Sequence, residues 1–282
     1  MIYLSTGGFS EKTFFETTQL FTNNTIKAFE LSSGKYTNTL ETDLLNVSTK
    51  FDIALHNYFP VPKEAFVFNL ASLDEHIVEK SLEHAKKAIK LTAKYSGRFY
   101  SFHAGYLLDP QVSELGKKIT KQKLNNRARG LNQFIKHVNE LAAFAHEYGV
   151  TLLIENNVVS DKNFESFGCN PLLMTEPEET KEIFNLVPDN VKLLIDVAHL
   201  KVSAKTQGFD AVEYLKTFNN ITKAYHISDN NGLEDSNKPF TIDSWFVPHI
   251  RKDLDYYSLE VYTADVSLLE NQYKLLSKIL SE

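Results

Sequence analysis

Six short apolar segments of this chain each end in an imidazole or a carboxylate, and this recurrence limits the folds open to it. The segments are Ala54-Leu55-His56, Ser101-Phe102-His103, Leu153-Ile154-Glu155, Leu194-Ile195-Asp196, Ala224-Tyr225-His226 and Ser258-Leu259-Glu260. An unpaired buried charge is unfavourable by several kcal/mol, so an ionised residue at the end of a buried strand needs a partner. The pattern predicts strands that converge on one site, where a divalent metal ion is the simplest common partner.

Between these segments the chain alternates short apolar strands with longer amphipathic helices. The predicted strands are residues 2–5, 26–31, 51–56, 99–103, 150–155, 191–197, 221–227 and 256–261. The predicted helices are residues 10–20 (capped by Ser10), 39–49, 73–94, 124–148, 176–184, 209–218, a weaker one at 244–252, and 265–280 (capped by Asp265). Loops are predicted at residues 57–72, 156–174 and from 105 to about 121, the last with some helix.

Eight strands alternating with helices predict parallel βαβ units. An open, doubly wound sheet is one arrangement of such units. A closed (β/α)8 TIM barrel is favoured, because ionisable residues recur at the ends of most strands rather than at one switch point. The chain has 282 residues and no linker or low-complexity tract, so residues 1–282 are predicted to form a single barrel domain.

Composition excludes several functional classes. The formal net charge of −6 argues against broad nucleic-acid binding, although a net charge leaves room for a small basic groove. Cys169 is the only cysteine, so no intrachain disulfide can form. The N-terminal residues lack the features of a signal peptide, and no apolar stretch is long enough for a membrane span. We therefore expect a cytoplasmic protein without membrane partners; the sequence does not indicate its oligomeric state.

Glu155, Asp196, His226 and Glu260 end four consecutive predicted strands. Adjacent strands of a barrel lie about 4.8 Å apart, so side chains at neighbouring strand ends can share one ion. This donor set suits Mn²⁺, Zn²⁺, Co²⁺ or iron. Any one of these residues taken alone is as well explained as a helix cap or a salt-bridge partner; the four together favour a metal site.

His56 and His103 end the third and fourth predicted strands, and each either contacts metal or substrate or is a satisfied core histidine. Gly105, shortly after His103, would allow a close backbone approach to a ligand. His199 follows Asp196 by three residues and would face the same cleft if the chain is helical there.

Asp229 follows His226 by three residues. It either contacts His226 and orients the imidazole ring or is a turn residue before Asn230-Asn231-Gly232.

These motifs resemble the xylose isomerase-like barrels, which include sugar-phosphate isomerases and epimerases, inosose dehydratases and abasic-site nucleases of the endonuclease IV type. The resemblance covers almost the whole chain. It is carried by Phe102-His103-Ala104-Gly105, Leu153-Ile154-Glu155-Asn156, Ile195-Asp196-Val197-Ala198-His199, His226-Ile227-Ser228-Asp229-Asn230 and Leu259-Glu260-Val261. Motifs this short indicate the superfamily and leave the substrate open.

Similarity to the ketose epimerases implies one metal held by Glu155, Asp196, His226 and Glu260. The two glutamates would then exchange a proton at the carbon beside a carbonyl that the metal polarises. The epimerases often carry an arginine soon after the His-x-x-Asp motif, and here Asn230, Asn231 and Gly232 stand there instead.

Similarity to the nucleases implies three zinc ions. His56, His103 and Glu155 would hold the first, and the second would take the four ligands of the epimerase site. The third takes His199 and an Asp-x-His motif, but here that motif reads Asp235-Ser236-Asn237. A neutral amide is a poorer zinc ligand than an imidazole, so the third site, with His199 and Asp235, is the weakest assignment.

The leading hypothesis is a metal-dependent isomerase or epimerase of carbohydrate metabolism that acts on a sugar, sugar phosphate or polyol. Glu155 and Glu260 would be the catalytic acid and base, and His103, His199 and His56 would contact substrate. Three alternatives remain open: a dehydratase or lyase on the same scaffold, an endonuclease IV-like phosphodiesterase, and a barrel that has lost catalysis and serves as a binding protein.

Overall fold

In a computed structural model that describes residues 1–21, 25–114 and 119–282, eight parallel strands close into one barrel. Each strand pairs with the next along the chain, and the last pairs with the first. The strands are β1 (Ile2–Ser5), β2 (Ala28–Leu31), β3 (Asp52–His56), β4 (Phe99–His103), β5 (Thr151–Glu155), β6 (Val191–Asp196), β7 (Thr222–Ile227) and β8 (Tyr256–Leu259). The predicted (β/α)8 barrel is confirmed, and the open sheet is ruled out.

Helices lie between the strands and pack on the outside of the barrel. Those within the described residues are α1 (Phe14–Thr18), α2 (Leu40–Ser48), α3 (Glu75–Leu91), α4 (Arg127–Glu147), α5 (Asp161–Phe167), α6 (Pro177–Leu186), α7 (Val197–Gln207), α8 (Ala211–Thr217) and α9 (Val266–Ser281). The longest, α4, begins at the N-cap Asn126 and buries Phe134, Val138 and Leu141, which recur at helical spacing. No helix in the described ranges combines the length and apolarity that crossing a bilayer requires.

The interior of the barrel is built in layers because side chains of a strand alternate between its two faces. One layer is apolar and is formed by Ala54, Leu153, Leu194, Ala224 and Tyr256, with Tyr3 and Phe99 packed against it. The residues two positions further along these strands form a polar layer above it: Ser5, His56, Ser101, Glu155, Asp196, His226 and Ser258. Because inward-facing residues recur every two positions, the polar layer lies directly above a closed apolar layer.

Helix α7 (Val197–Gln207) is missing from the predicted helices. Three further differences between the predicted and observed helices each have a local cause. The first helix starts at Phe14, because Thr13 and Glu16 form a reciprocal capping box that Ser10 cannot provide. Residues 244–252 form turns rather than a helix, since Pro248 removes a backbone donor and disfavours a helical Val247.

The third difference is α5, which lies within the predicted loop 156–174. The helix ends at Gly168, whose φ of 70° is the left-handed conformation common after a helix. The predicted loop from residue 105 to about 121 includes residues 115–118, which lie outside the described residues; the part before them contains a short 3-10 turn, Val112–Glu114.

His84 on α3 fixes the start of the β3–α3 loop. Its Nε2 donates to the carbonyl oxygen of Asn57 at 3.1 Å, and its ring packs against Phe66 and Phe68. Burial lowers the pKa of His84 to about 4, because an imidazolium there would lose its hydration.

We expect His84 to make the protein less stable in mild acid. Its pKa is about 6.5 when unfolded and about 4 when folded, so the unfolded chain takes up the proton first as pH falls between these values. The free energy of unfolding should therefore drop by roughly 3 kcal/mol over this window. In His84→Gln, which can still donate to Asn57, urea unfolding should show a pH dependence smaller by this amount. An identical pH dependence in both proteins would contradict the assignment.

Candidate metal centre

Glu155 occupies the middle of the polar layer, and its two carboxylate oxygens face different histidines. Oε2 lies 3.4 Å from His56 Nε2 and 3.5 Å from His103 Nδ1. Oε1 lies 3.4 Å from His226 Nδ1 and 3.2 Å from His199 Nδ1. The strand register produces this arrangement, because His103 and Glu155 are directly paired on β4 and β5.

Several buried polar atoms around Glu155 have no hydrogen-bond partner. They are both carboxylate oxygens of Glu155, Oδ2 of Asp196, Nδ1 of His103 and Nδ1 of His226. Buried polar atoms are nearly always satisfied, and an orphaned group costs roughly 1–3 kcal/mol or more if charged. Here imidazole nitrogens and carboxylate oxygens converge, and no hydrogen-bond donor satisfies them. These are the ligand types of a divalent transition-metal site, so the residues fit a metal ion.

Among the described residues, three groups of side chains could each hold one ion, and two of these groups contain Glu155. The first contains His56, His103 and Glu155, and the second contains Glu155, Asp196 and His226; within each group the ligand atoms lie within 4.8 Å of one another. Atoms bound to one ion at about 2.0–2.2 Å lie roughly 3–4 Å apart, so modest side-chain movement suffices. Glu155 belongs to both groups.

Glu260 follows β8 directly and points one oxygen toward the second group. Its Oε2 lies 3.5 Å from His226 Nδ1. Its Oε1 accepts hydrogen bonds from Ser5 Oγ at 3.1 Å and from the Tyr262 hydroxyl at 3.5 Å. With Oε1 held in this way, Oε2 is the oxygen available to an ion or to a substrate.

Asp196 and His199 are brought together by a helix that starts immediately after β6. Asp196 caps α7, and its Oδ1 accepts from the backbone nitrogen of His199 at 2.7 Å. His199 donates from Nδ1 to the Asn156 carbonyl and lies 3.2 Å through Nε2 from Asp235 Oδ2. The residues of the weak third site therefore contact each other directly, and Asn237 is buried beside them with a φ of 43°.

Sequence reasoning missed Glu30, which contacts the His226 ring, and the structure does not give Asp229 the first of its two predicted roles, that of a partner to this ring. Glu30 Oε2 accepts from His226 Nε2 at 2.8 Å, whereas Asp229 binds Lys201 Nζ at 2.6 Å and Ser244 Oγ at 2.8 Å. Glu30 stands one residue before the end of β2, so a search of strand ends passes over it. The available signal was a carboxylate between Phe29 and Leu31, inside an apolar strand.

Gly105 does not open space for a ligand. A Cβ at this position would lie 2.4 Å from Ala71 Cβ, so the missing side chain allows the β4–α4 loop to pack against the preceding loop. The space at Gly105 that was expected to admit a ligand is instead taken up by Asn69 and Ala71.

Burial and neighbouring histidines set the carboxyl pKa values in opposite directions. Burial raises the pKa of Asp196 to about 8, since the charged form would be desolvated beside other carboxylates. Burial also opposes ionisation of Glu155, but positive charge on the surrounding histidines outweighs it and holds its pKa well below the ordinary value. Glu155 therefore favours the ionised form, and Asp196 favours the protonated form unless a positive charge lies beside it.

The pKa values of the histidines also shift in opposite directions. Burial lowers the pKa of His103 to about 3, so it is neutral. Burial also disfavours charge on His226 and His199, but adjacent carboxylates, chiefly Glu30 for the first and Asp196 for the second, raise both pKa values well above the ordinary value. A metal ion would take over the neutralising role that protons on these residues otherwise perform.

A cavity of about 280 Å³ opens beside the cluster. His103 and His199 belong both to its wall and to the set of side chains that contact Glu155. Among the described lining residues, the charged ones besides these histidines are Glu114, Lys162, Glu234 and Asp235. Lys162 on α5 lies 3.7 Å from Glu234, so its charge is already paired.

The sequence matches the family described as xylose isomerase-like TIM barrel over residues 20–255. The chain belongs to this family. An uncharacterized protein, MJ1614, from Methanocaldococcus jannaschii is 23% identical over 207 residues, which cover 73% of this chain and 68% of the relative.

Solved structures of sugar epimerases share the fold. A D-tagatose 3-epimerase-like protein superposes with a TM-score of 0.72 at 16% identity, covering 99% of this chain and 97% of that protein. The D-psicose 3-epimerase of Clostridium cellulolyticum H10, solved with D-tagatose, gives a TM-score of 0.67 at 12% identity, covering 99% and 97%.

We expect divalent ions to stabilise the protein. An ion at a thousandfold excess over its dissociation constant adds about 4 kcal/mol to the free energy of unfolding. Mn²⁺, Co²⁺ or Zn²⁺ should therefore raise the Tm of chelator-treated protein by several degrees. The rise should be larger at pH 8.5 than at pH 6.5, because the proton on Asp196 competes with the ion.

Asp196→Asn is the matched variant for this measurement. Its amide oxygen can still cap α7, but it provides a neutral ligand in place of a carboxylate. The metal-induced rise in Tm should be much smaller in the variant. A Tm that neither chelator nor added ions change in the natural sequence would argue against a metal centre.

Proposed function

We propose that this protein is a metal-dependent isomerase or epimerase acting on a sugar, sugar phosphate or polyol. The observation that carries the proposal is the position of the cluster beside the cavity, with His103 and His199 shared between the two. Small-molecule pockets have volumes of roughly 300–1,000 Å³, and at about 280 Å³ this cavity suits one small molecule.

Asp196, His226, Glu260 and one oxygen of Glu155 would hold the catalytic ion, with Mn²⁺, Zn²⁺ or Co²⁺ as the candidates. The bound ion would supply Lewis-acid polarisation of a substrate carbonyl.

Glu155 and Glu260 are the candidates for proton transfer. Both carboxylates lie near the same imidazole nitrogen, His226 Nδ1, at 3.4 Å and 3.5 Å, so both face the same part of the site. A pair of carboxylates can remove a proton from the carbon beside a carbonyl and return one to the same or a neighbouring carbon. Ser5 and Tyr262 would keep Glu260 oriented during this exchange.

Two cavity histidines would orient the substrate through its hydroxyl groups. His103 is neutral near pH 7 and has an unsatisfied Nδ1, so it can bind a hydroxyl group. His199 is held in place by Asn156 and Asp235. His56 lies deeper, with Nδ1 on Ser101 Oγ at 2.9 Å, and its contribution would be to the ion or to Glu155.

Membership of the xylose isomerase-like family and the epimerase fold of the structural neighbours support this choice. A dehydratase or lyase would begin with the same proton abstraction, so it is a variant of the same proposal.

Glu260→Gln and Glu155→Gln should each lower turnover by roughly 10²–10⁴-fold, as expected when a general acid or base is lost. Candidate ketoses, aldoses and their phosphates would be incubated in D₂O, and deuterium incorporation beside the carbonyl would be followed by NMR. Glu179→Gln is the control, because Glu179 is a buried carboxylate that pairs with Arg127 away from the cluster. Full exchange activity in either site variant would disprove the assigned roles.

A second candidate function is a two-metal phosphodiesterase. Glu155 faces His56 and His103 with one oxygen and His226 with the other, so it could provide one oxygen to each of two ions. Two-metal sites clamp the attacking and leaving oxygens of a phosphate ester.

Incision of a duplex that contains an abasic site tests the second function. Wild-type protein supplied with two equivalents of zinc should cut the duplex, and His56→Gln should lose both the second ion and the incision. Absence of cutting by the zinc-loaded protein, or undiminished cutting by His56→Gln, would rule this function out.

A further inference from the structure

Glu30 reaches His226 across the interior of the barrel. It lies on β2, whereas His226 lies on β7, and both side chains are completely buried. The hydroxyl of Tyr256, on β8, donates to the same carboxylate oxygen, Glu30 Oε2. Strands β2, β7 and β8 thus contribute one hydrogen-bonded chain, Tyr256–Glu30–His226, next to the candidate metal ligands.

This chain fixes which nitrogen of His226 carries a proton. An ionised carboxylate can only accept hydrogen bonds, so the nitrogen that contacts Glu30, Nε2, must be the donor. The other nitrogen, Nδ1, faces Glu155 Oε1 and Glu260 Oε2 and has no hydrogen-bond partner.

We propose that Glu30, held by Tyr256, is a positioning residue that keeps His226 in the Nε2–H tautomer and directs the Nδ1 lone pair at the metal position. The inference deepens the proposed metal-dependent function and rests on it. A carboxylate behind a ligating imidazole also makes the imidazole a stronger donor to the ion, and loss of such a partner lowers metal affinity by about 10–100-fold.

The alternative is that Glu30 binds an ion directly. Glu30, His56 and His226 also offer ligand atoms within 4.8 Å of one another. Such a role would exchange the 2.8 Å hydrogen bond between His226 Nε2 and Glu30 Oε2 for contacts with an ion. The positioning role leaves this hydrogen bond intact, and the two roles differ in the number of ions bound.

Glu30→Gln separates the two roles. Chelator-treated protein would be titrated with Mn²⁺ or Zn²⁺ against a chromogenic chelator, which reports both affinity and stoichiometry. The glutamine retains a neutral acceptor for Nε2–H but lacks the negative charge. We expect the affinity to fall by about 10–100-fold while the number of bound ions stays the same.

Glu179→Gln is the matched control, because it also removes a buried carboxylate charge but lies outside the cluster; its metal affinity should equal that of the wild type. Tyr256→Phe is the second variant. It keeps the carboxylate and removes one of its two hydrogen bonds, so it should weaken metal binding less than Glu30→Gln does, and it still tests the proposal if Glu30→Gln fails to fold.

Unchanged affinity in Glu30→Gln and Tyr256→Phe would overturn the positioning role and leave the metal-dependent function standing. The loss of one bound ion in Glu30→Gln would also overturn it, in favour of Glu30 as a direct ligand. If the wild-type protein itself binds no divalent ion, the proposed function fails, and this inference fails with it.

Discussion

The structure of this site depends on one buried carboxylate, that of Glu155, which has imidazoles around it and no hydrogen-bond donor in proper geometry. A charge in such a position is tolerated only if a counter-charge occupies the same interior. Protons on His226 and His199 can provide it in the metal-free protein, and a divalent ion would provide it more strongly. The need to neutralise Glu155 accounts for the candidate ligands around it and for their shifted pKa values. The hydrogen-bonded chain Tyr256–Glu30–His226 lies behind the same ligands.

The barrel supplies the geometry that this carboxylate requires. Along each strand, inward-facing residues lie two positions apart, so one layer of the interior is apolar and the next is polar. The candidate ligands therefore lie directly above a closed apolar layer. Register places His103 beside Glu155 and Asp196 beside His226, and the immediate start of α7 after β6 adds His199 to the same cleft. The α5 segment and the β7–β8 loop, which contribute Lys162 and Glu234, then narrow the space above into a cavity sized for one small molecule.

Most of the fold and the centre of the site could be predicted from the sequence, because strand ends in a parallel barrel must meet. His103, Glu155, Asp196 and His226 were found in this way. Glu30 was not, because its contact with His226 spans 196 residues and depends on which strands face each other across the barrel. The spacing of Asp229 left two roles open, a partner of His226 or a turn residue, and the structure pairs it with Lys201 instead of His226. Helix α5 and the turns near Pro248 show that the secondary structure of short segments depends on capping residues and prolines more than on hydrophobic periodicity.

Anomalous X-ray diffraction from crystals grown with Mn²⁺ or Zn²⁺ tests the central claim most directly. We expect an anomalous peak at about 2.0–2.3 Å from Asp196, His226, Glu260 and one oxygen of Glu155. A further peak between His56, His103 and the other oxygen of Glu155 would establish the two-ion form. Metal-replete crystals with no peak in this cluster, and with its carboxylates and imidazoles paired only with one another, would contradict a metal centre.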